Sequence, residues 1–233
     1  MKFYSLEKWA TFIVVFLLCF LPPSLVKAQN SSNYTFVTDN TSSLYDMSGV
    51  TTNLVSAGVD ATASGLRSIG FTFPFMGNTF TQFSVNEDGV LQLGGTAVTT
   101  NVYNLNGGTA NSPRLAAFNA DLKTGTNGKV HFKELGVAPN RKLVIEFLNI
   151  NLFYNFSTVA DGATFQIVLH ETTGEIEYIY GMMNVNSITS PNKSPSIGFY
   201  TGAAANLFAN ILYSSHTANT VGTFGANPAV AAT

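Results

Sequence analysis

The sequence predicts an all-β protein, a single antiparallel, jelly-roll-like β-sandwich of roughly nine or ten short strands. Three observations point there. Apolar residues recur with a period of two through most of the hydrophobic stretches. Gly, Asn, Asp and Pro interrupt those stretches about every 8–15 positions, the spacing of turns between short strands. No segment after the first 28 residues keeps a helical period long enough to build a helix.

Residues 1–28 stand apart from the rest. Lys2 and Lys8 make a basic start, residues 10–21 carry no charge, and Pro22-Pro23 ends the apolar run. Val26-Lys27-Ala28 then offers a cleavage site before Gln29. These are the parts of a secretory signal peptide. A retained membrane anchor needs about 20 apolar residues, and this run is shorter. Cys19 is the only cysteine and falls inside the run, with Leu18 where a lipoprotein needs a small residue. The exported chain, residues 29–233, is thus expected to have no disulfide and no thiol nucleophile.

Residues 29–68 read as an N-terminal edge strand (34–37) with loops, ending in the small residues 61–65. From Ile69 the signals sharpen. Phe71, Phe73 and Phe75 alternate with Thr72, Pro74 and Met76, so three rings share a face. Pro74 has no N–H to donate, which assigns this strand to an edge or a bulge. Residues 80–85 and 90–93 flank Asn86-Glu87-Asp88-Gly89, a hairpin turn whose Asp-Gly supplies positive φ. Residues 94–113 are polar and read as a long loop. A strand over 115–122, a turn at 124–128 ending in Asn-Gly, and a strand over 129–135 follow. Pro139-Asn140 turns into a long strand over 142–154. Residues 164–170 and 175–180 flank the 171–174 turn, and 196–200 and 211–213 close the sheets. The sandwich is assigned to 69–215, and the small, polar residues 216–233 to a flexible tail or linker stub.

Composition narrows the partners. The whole chain has a net charge of −2, and losing residues 1–28 removes three lysines and one glutamate, leaving −4. There is no basic cluster, which argues against nucleic acid and anionic membrane surfaces. Only 10% of residues are charged, so the surface is polar rather than ionic. An extracellular glycan or protein is the expected partner, with no membrane insertion once the signal is cut.

Few residues offer chemistry, and no catalytic residue is assigned. Glu146 sits mid-strand, and Glu175 and Glu177 share a strand face; such carboxylates could serve a hydrolase as acid and base, or simply face solvent. His131, His170 and His216 lie far apart in sequence without metal-ligand spacing and are read as exposed strand histidines. No G-x-S-x-G elbow occurs. Asp88, Asn119 and Asp121 are oxygen-rich positions that could hold a structural calcium, the one cofactor considered, or could serve turn hydrogen bonds. Tyr103, Phe153, Tyr154 and Phe156 lie near loops and are the candidate ligand-stacking rings.

The ordered segments GFTFPFMGNTFTQFSVNEDGVLQLGG (70–95), RLAAFNADL (114–122), KVHFKELGVAPNRKLVIEFLNI (129–150), ATFQIVLHETTGEIEYIYGMM (163–183) and SPSIGFYTG (195–202) resemble a known module. It is the N-terminal β-sandwich of secreted surface proteins in sorting-signal-secreting Gram-negative bacteria. More distantly, the order is similar to the nidogen-type (NIDO) extracellular domain. Asn119 stands where that type usually has tryptophan, in its A-x-F-W-A-D strand. The resemblance implies an adhesive or structural module at the cell surface or outside it, with no catalytic residues to carry over. Two other classes stay open on the residues alone. One is a carbohydrate-active enzyme or its accessory carbohydrate-binding module. The other is a self-assembling surface or matrix subunit, which would leave a long unpaired edge at 34–37 or 142–154.

Overall fold

The computed structural model describes Tyr34, Val37, Asp39, residues 41–103, Leu105, and residues 112–152, 162–185 and 195–201, together with the strand backbones at 212–214, 222–223 and 231–232. The expected signal peptide, Phe153, Tyr154, Phe156 and His216 lie outside the described residues. Within them every regular element is a strand: β1 Thr52–Val55, β2 Arg67–Phe75, β3 Asn78–Val85, β4 Val90–Leu93, β5 Arg114–Asn119, β6 Lys123–Leu135, β7 Lys142–Asn151, β8 Gly162–His170, β9 Ile176–Val185 and β10 Ser196–Tyr200. Three short strands follow, β11 Leu212–Ser214, β12 Gly222–Thr223 and β13 Ala231–Ala232.

They form two antiparallel sheets. One has the order β1-β6-β7-β8-β9-β12, the other β13-β11-β10-β5-β4-β3-β2. Each sheet is built round a meander of four consecutive strands, β6 to β9 in the first and β2 to β5 in the second. That path is simpler than the jelly-roll-like one expected, because successive hairpins stay within one sheet. The chain crosses between the meanders at residues 120–122, where Ala120, Asp121 and Leu122 follow β5.

Period-two alternation feeds the core between the sheets. Phe73, Phe75, Phe83, Phe147 and Phe165 are fully buried there. Phe147 and Phe165 stack at 4.7 Å between ring centroids, and Phe75 meets Phe199 edge-on at 5.6 Å. Aromatic pairs of this kind add about 0.5–1.5 kcal/mol beyond the area they bury. Tyr178 and Tyr180 reach across from β9, their hydroxyls donating to the Gly198 and Ala117 carbonyls of the opposite sheet.

The Pro74 strand is an edge, as expected: β2 ends its sheet and its pairing with β3 shifts register between Ser68 and Phe73. Other expectations are corrected. Tyr34 and Val37, the described ends of that expected strand, carry none; Tyr34 packs its ring on Phe75 and Phe199, and the first strand among the described residues is β1. Residues 124–128 are not a turn but a register shift inside the single 13-residue strand β6. Glycine is needed there because a Cβ on Gly125 or Gly128 would stand 2.7 or 2.4 Å from the Asn149 carbonyl of β7. Nor is β7 an unpaired edge: it lies between β6 and β8.

Each outer face is covered in part. Leu44, Tyr45 and Met47 lie across the first sheet on Val144, Val168 and Ile179. The loop after β4 folds back over the second, setting Val98 and Val102 on Val90.

Candidate functional site

Two groups of buried or half-buried carboxylates decide where function can sit. The first lies under the N-terminal strap, residues 42–51. Across the outer face of the first sheet, His131, Glu146 and Gln166 stand in register on β6, β7 and β8. His131 Nε2 lies 2.7 Å from Glu146 Oε2, and its Nδ1 lies 2.9 Å from Thr51 Oγ1. Gln166 Nε2 donates to Glu146 Oε1 (2.8 Å) and to the Tyr45 carbonyl (3.0 Å), while its Oε1 accepts from the Tyr45 N–H (2.9 Å). A side-chain amide thus pairs with the strap as a neighbouring strand would. Next to it, Glu177 pairs with His170 and accepts from the Tyr45 hydroxyl (3.3 Å), which in turn accepts from Lys142 Nζ (2.5 Å). The histidines are therefore not exposed strand residues: His131 is fully buried and His170 half-buried, each against a carboxylate. Glu146, rather than facing solvent, is buried, and only Glu175 of the three glutamates is exposed.

The second group is at one end of the sandwich. The β3–β4 hairpin turns through Asn86-Glu87-Asp88-Gly89, with Val90 N–H donating to Asn86 Oδ1 and Asn86 N–H to the Val90 carbonyl, each 3.1 Å. Gly89 has φ +86°, and a Cβ there would meet the Phe118 carbonyl at 1.9 Å, so the turn packs directly on the end of β5. The inter-sheet crossover wraps Asp88: Leu122 N–H donates to its Oδ1 (3.1 Å) and Ala120 N–H to its carbonyl (3.2 Å). Asn119 Nδ2 donates to the carbonyls of Asp88 (2.7 Å) and Val102 (2.6 Å), tying turn, crossover and covering loop together. The departure from the tryptophan of the nidogen type therefore falls on the residue that locks this end. Glu87 Oε2 accepts from Thr62 N–H (2.8 Å).

Asn86, Glu87, Asp88 and Asn119 are all fully buried. Yet Glu87 Oε1, Asp88 Oδ2 and Asn119 Oδ1 receive no hydrogen bond among the described residues. Burial pushes the Asp88 carboxyl up to about 7, against the pull of the Leu122 N–H, and the charges of Glu87, Asp121 and Asp60 push it further. Burial raises Glu87 as well, with Asp60 adding to it. Tyr103 stands at the same pole, 48% exposed, its hydroxyl donating to Asn101 Oδ1 (2.9 Å). Desolvation first, and then Asp121, Asp88, Asp60 and Glu87, raise its pKa.

The structure thus brings Tyr103 together with Asp88, Asn119 and Asp121, four residues the sequence had offered for two separate purposes. It adds Glu87, visible in the same turn, and Asp60, for which the sequence held no signal. Among the described residues, no three His, Cys, Asp or Glu side chains form a ready metal-binding group.

A model of the NIDO-related family matches residues 33–232, nearly all of the chain after residue 28. The chain belongs to the NIDO-related family. The match takes in both sheets and the whole pole, so this NIDO-related sandwich is an extracellular-type module. No curated protein and no solved structure matches the chain.

Proposed function

We propose that this NIDO-related domain is an exported, non-catalytic adhesive module that meets a glycan or protein partner at the loop pole around Tyr103. One observation carries the reading: a large ring is left half-exposed at the end where three loops and the inter-sheet crossover converge, while strap and loop residues cover part of each sheet face. Rings with one wet face are the groups that stack on sugars and anchor protein contacts. The rival glycosidase needs two carboxylates facing a shared cleft. Glu146, buried, and Glu177, half-buried, are instead bound to His131, Gln166, His170 and Tyr45 beneath the strap.

The test is thermal unfolding of the secreted chain against a panel of polysaccharides and matrix proteins, with Tyr103→Ala alongside. A ligand at about 100 times its Kd should raise the midpoint by roughly 5 °C or more, and the substitution should abolish the shift. A shift that survives Tyr103→Ala would place the contact elsewhere, and released sugar would favour the enzyme. Export itself is tested by sequencing the N-terminus of the secreted protein, which should begin at Gln29.

A further inference from the structure

The geometry points to a calcium site at the loop pole, with Asp88 Oδ2, Glu87 Oε1 and Asn119 Oδ1 as its protein ligands and Asp60 and Asp121 as charge at its rim. This goes beyond the contact-surface reading and does not depend on what Tyr103 touches.

The argument starts from burial. An oxygen taken out of water without a donor costs free energy, so native proteins rarely leave one, and each exception calls for a reason. Here three such oxygens belong to three fully buried residues in one small region. Acidity alone does not define the set, because Asn119 is neutral. Its Nδ2 is fixed on the Asp88 and Val102 carbonyls, which holds its Oδ1 beside the same turn without a donor. Asp88 is anchored through its other oxygen to Leu122 N–H, so its Oδ2 is likewise held in place. The neighbouring charges that act on Asp88 are all negative, those of Glu87, Asp121 and Asp60.

A cation is the group that answers the three orphan oxygens together. The donors are all oxygens, which selects a hard ion and excludes a thiolate or imidazole metal. Calcium accepts six to eight oxygens in flexible geometry, whereas magnesium demands a near-ideal octahedron and gives up water reluctantly. A set of two carboxylates and one amide on converging loops suits calcium, with waters completing the shell. A site with so few charged ligands belongs with extracellular modules, whose Kd lies at about 10⁻⁴–10⁻³ M.

The experiment uses the full secreted chain, dialysed against chelator and then titrated with calcium chloride or magnesium chloride alone. Calcium at about 100 times Kd should raise the unfolding midpoint by roughly 5 °C or more, with magnesium giving much less. Asp88→Asn and Glu87→Gln should each lose most of the response. Hydrogen exchange on the unsubstituted chain should show calcium-dependent protection in peptides spanning 86–89 and 119–122. That readout stands even if a variant fails to fold. No shift with calcium, a shift retained in both variants, or protection confined to other segments would each overturn the site.

Discussion

Under the N-terminal strap and at the loop pole the same problem, a carboxylate wholly or partly removed from water, has opposite solutions. Glu146 and Glu177 each face a histidine, and each accepts a further hydrogen bond, from Gln166 or from Tyr45. Glu87 and Asp88 each have one bonded and one unbonded oxygen, with other acids as neighbours. The first arrangement is closed upon itself and fixes the strap to the sheet. The second holds negative charge in reserve, which is why the pole, and not the histidine pairs, is the place to look for a ligand.

The sharpest way to break this contrast is to damage the closed side. His131→Ala leaves Glu146 buried and short of its partner, a change that costs about 3–5 kcal/mol in comparable sites. At this chain length the unfolding midpoint should fall by roughly 10 °C. A loss under about 1 kcal/mol would mean that the pair contributes little and that the two regions differ less than their geometry indicates.

Gln166→Ala should come next. It removes both bonds to Tyr45 and one to Glu146, leaving buried groups unpaired at a cost of about 1–3 kcal/mol. Proteolysis should then cut within residues 42–50 before the sandwich unfolds, whereas uniform resistance would show that Leu44 and Met47 hold the strap by packing alone. Smallest is Tyr103→Ala, which removes an exposed ring and should change stability by less than about 0.5 kcal/mol. A large loss there, read by denaturant unfolding, would make Tyr103 a structural residue and undercut its role as a contact.

Much of this contrast was hidden from the sequence, and the reasons are physical. The strands of the two meanders could be read because alternation is local: Phe71, Phe73 and Phe75 announce their shared face within five residues. Pro74 likewise marks an edge by what it lacks. The Thr124–Gly128 stretch misled, because the same Asn-Gly signal serves a turn and a bulge, and only the approach of Asn149 across the ladder distinguishes them. His131 and His170 looked exposed because nothing in their own strands says that residues 44–51 will lie over them. At the pole, Asp88, Asn119 and Asp121 were recognisable as oxygen donors, and Tyr103 as a ring near a loop. Their meeting depends on the Asn119 bonds to Asp88 and Val102, residues 31 and 17 positions away, and no local pattern encodes it.

Reserve charge at the pole is tested most directly by the stability of the chelator-treated chain as pH is varied, compared with Asp88→Asn. The folded chain keeps a proton on Asp88 up to about pH 7, while the unfolded chain releases it near the ordinary value of 3.8. Stability should therefore fall as pH rises from about 4 to 7, with the penalty fully present above 7. Across that window the substituted chain should gain on the unsubstituted one by up to on the order of 4 kcal/mol, since shifts elsewhere in the protein cancel in the difference. Parallel curves for the two proteins, with no gain on the alkaline side, would contradict the account.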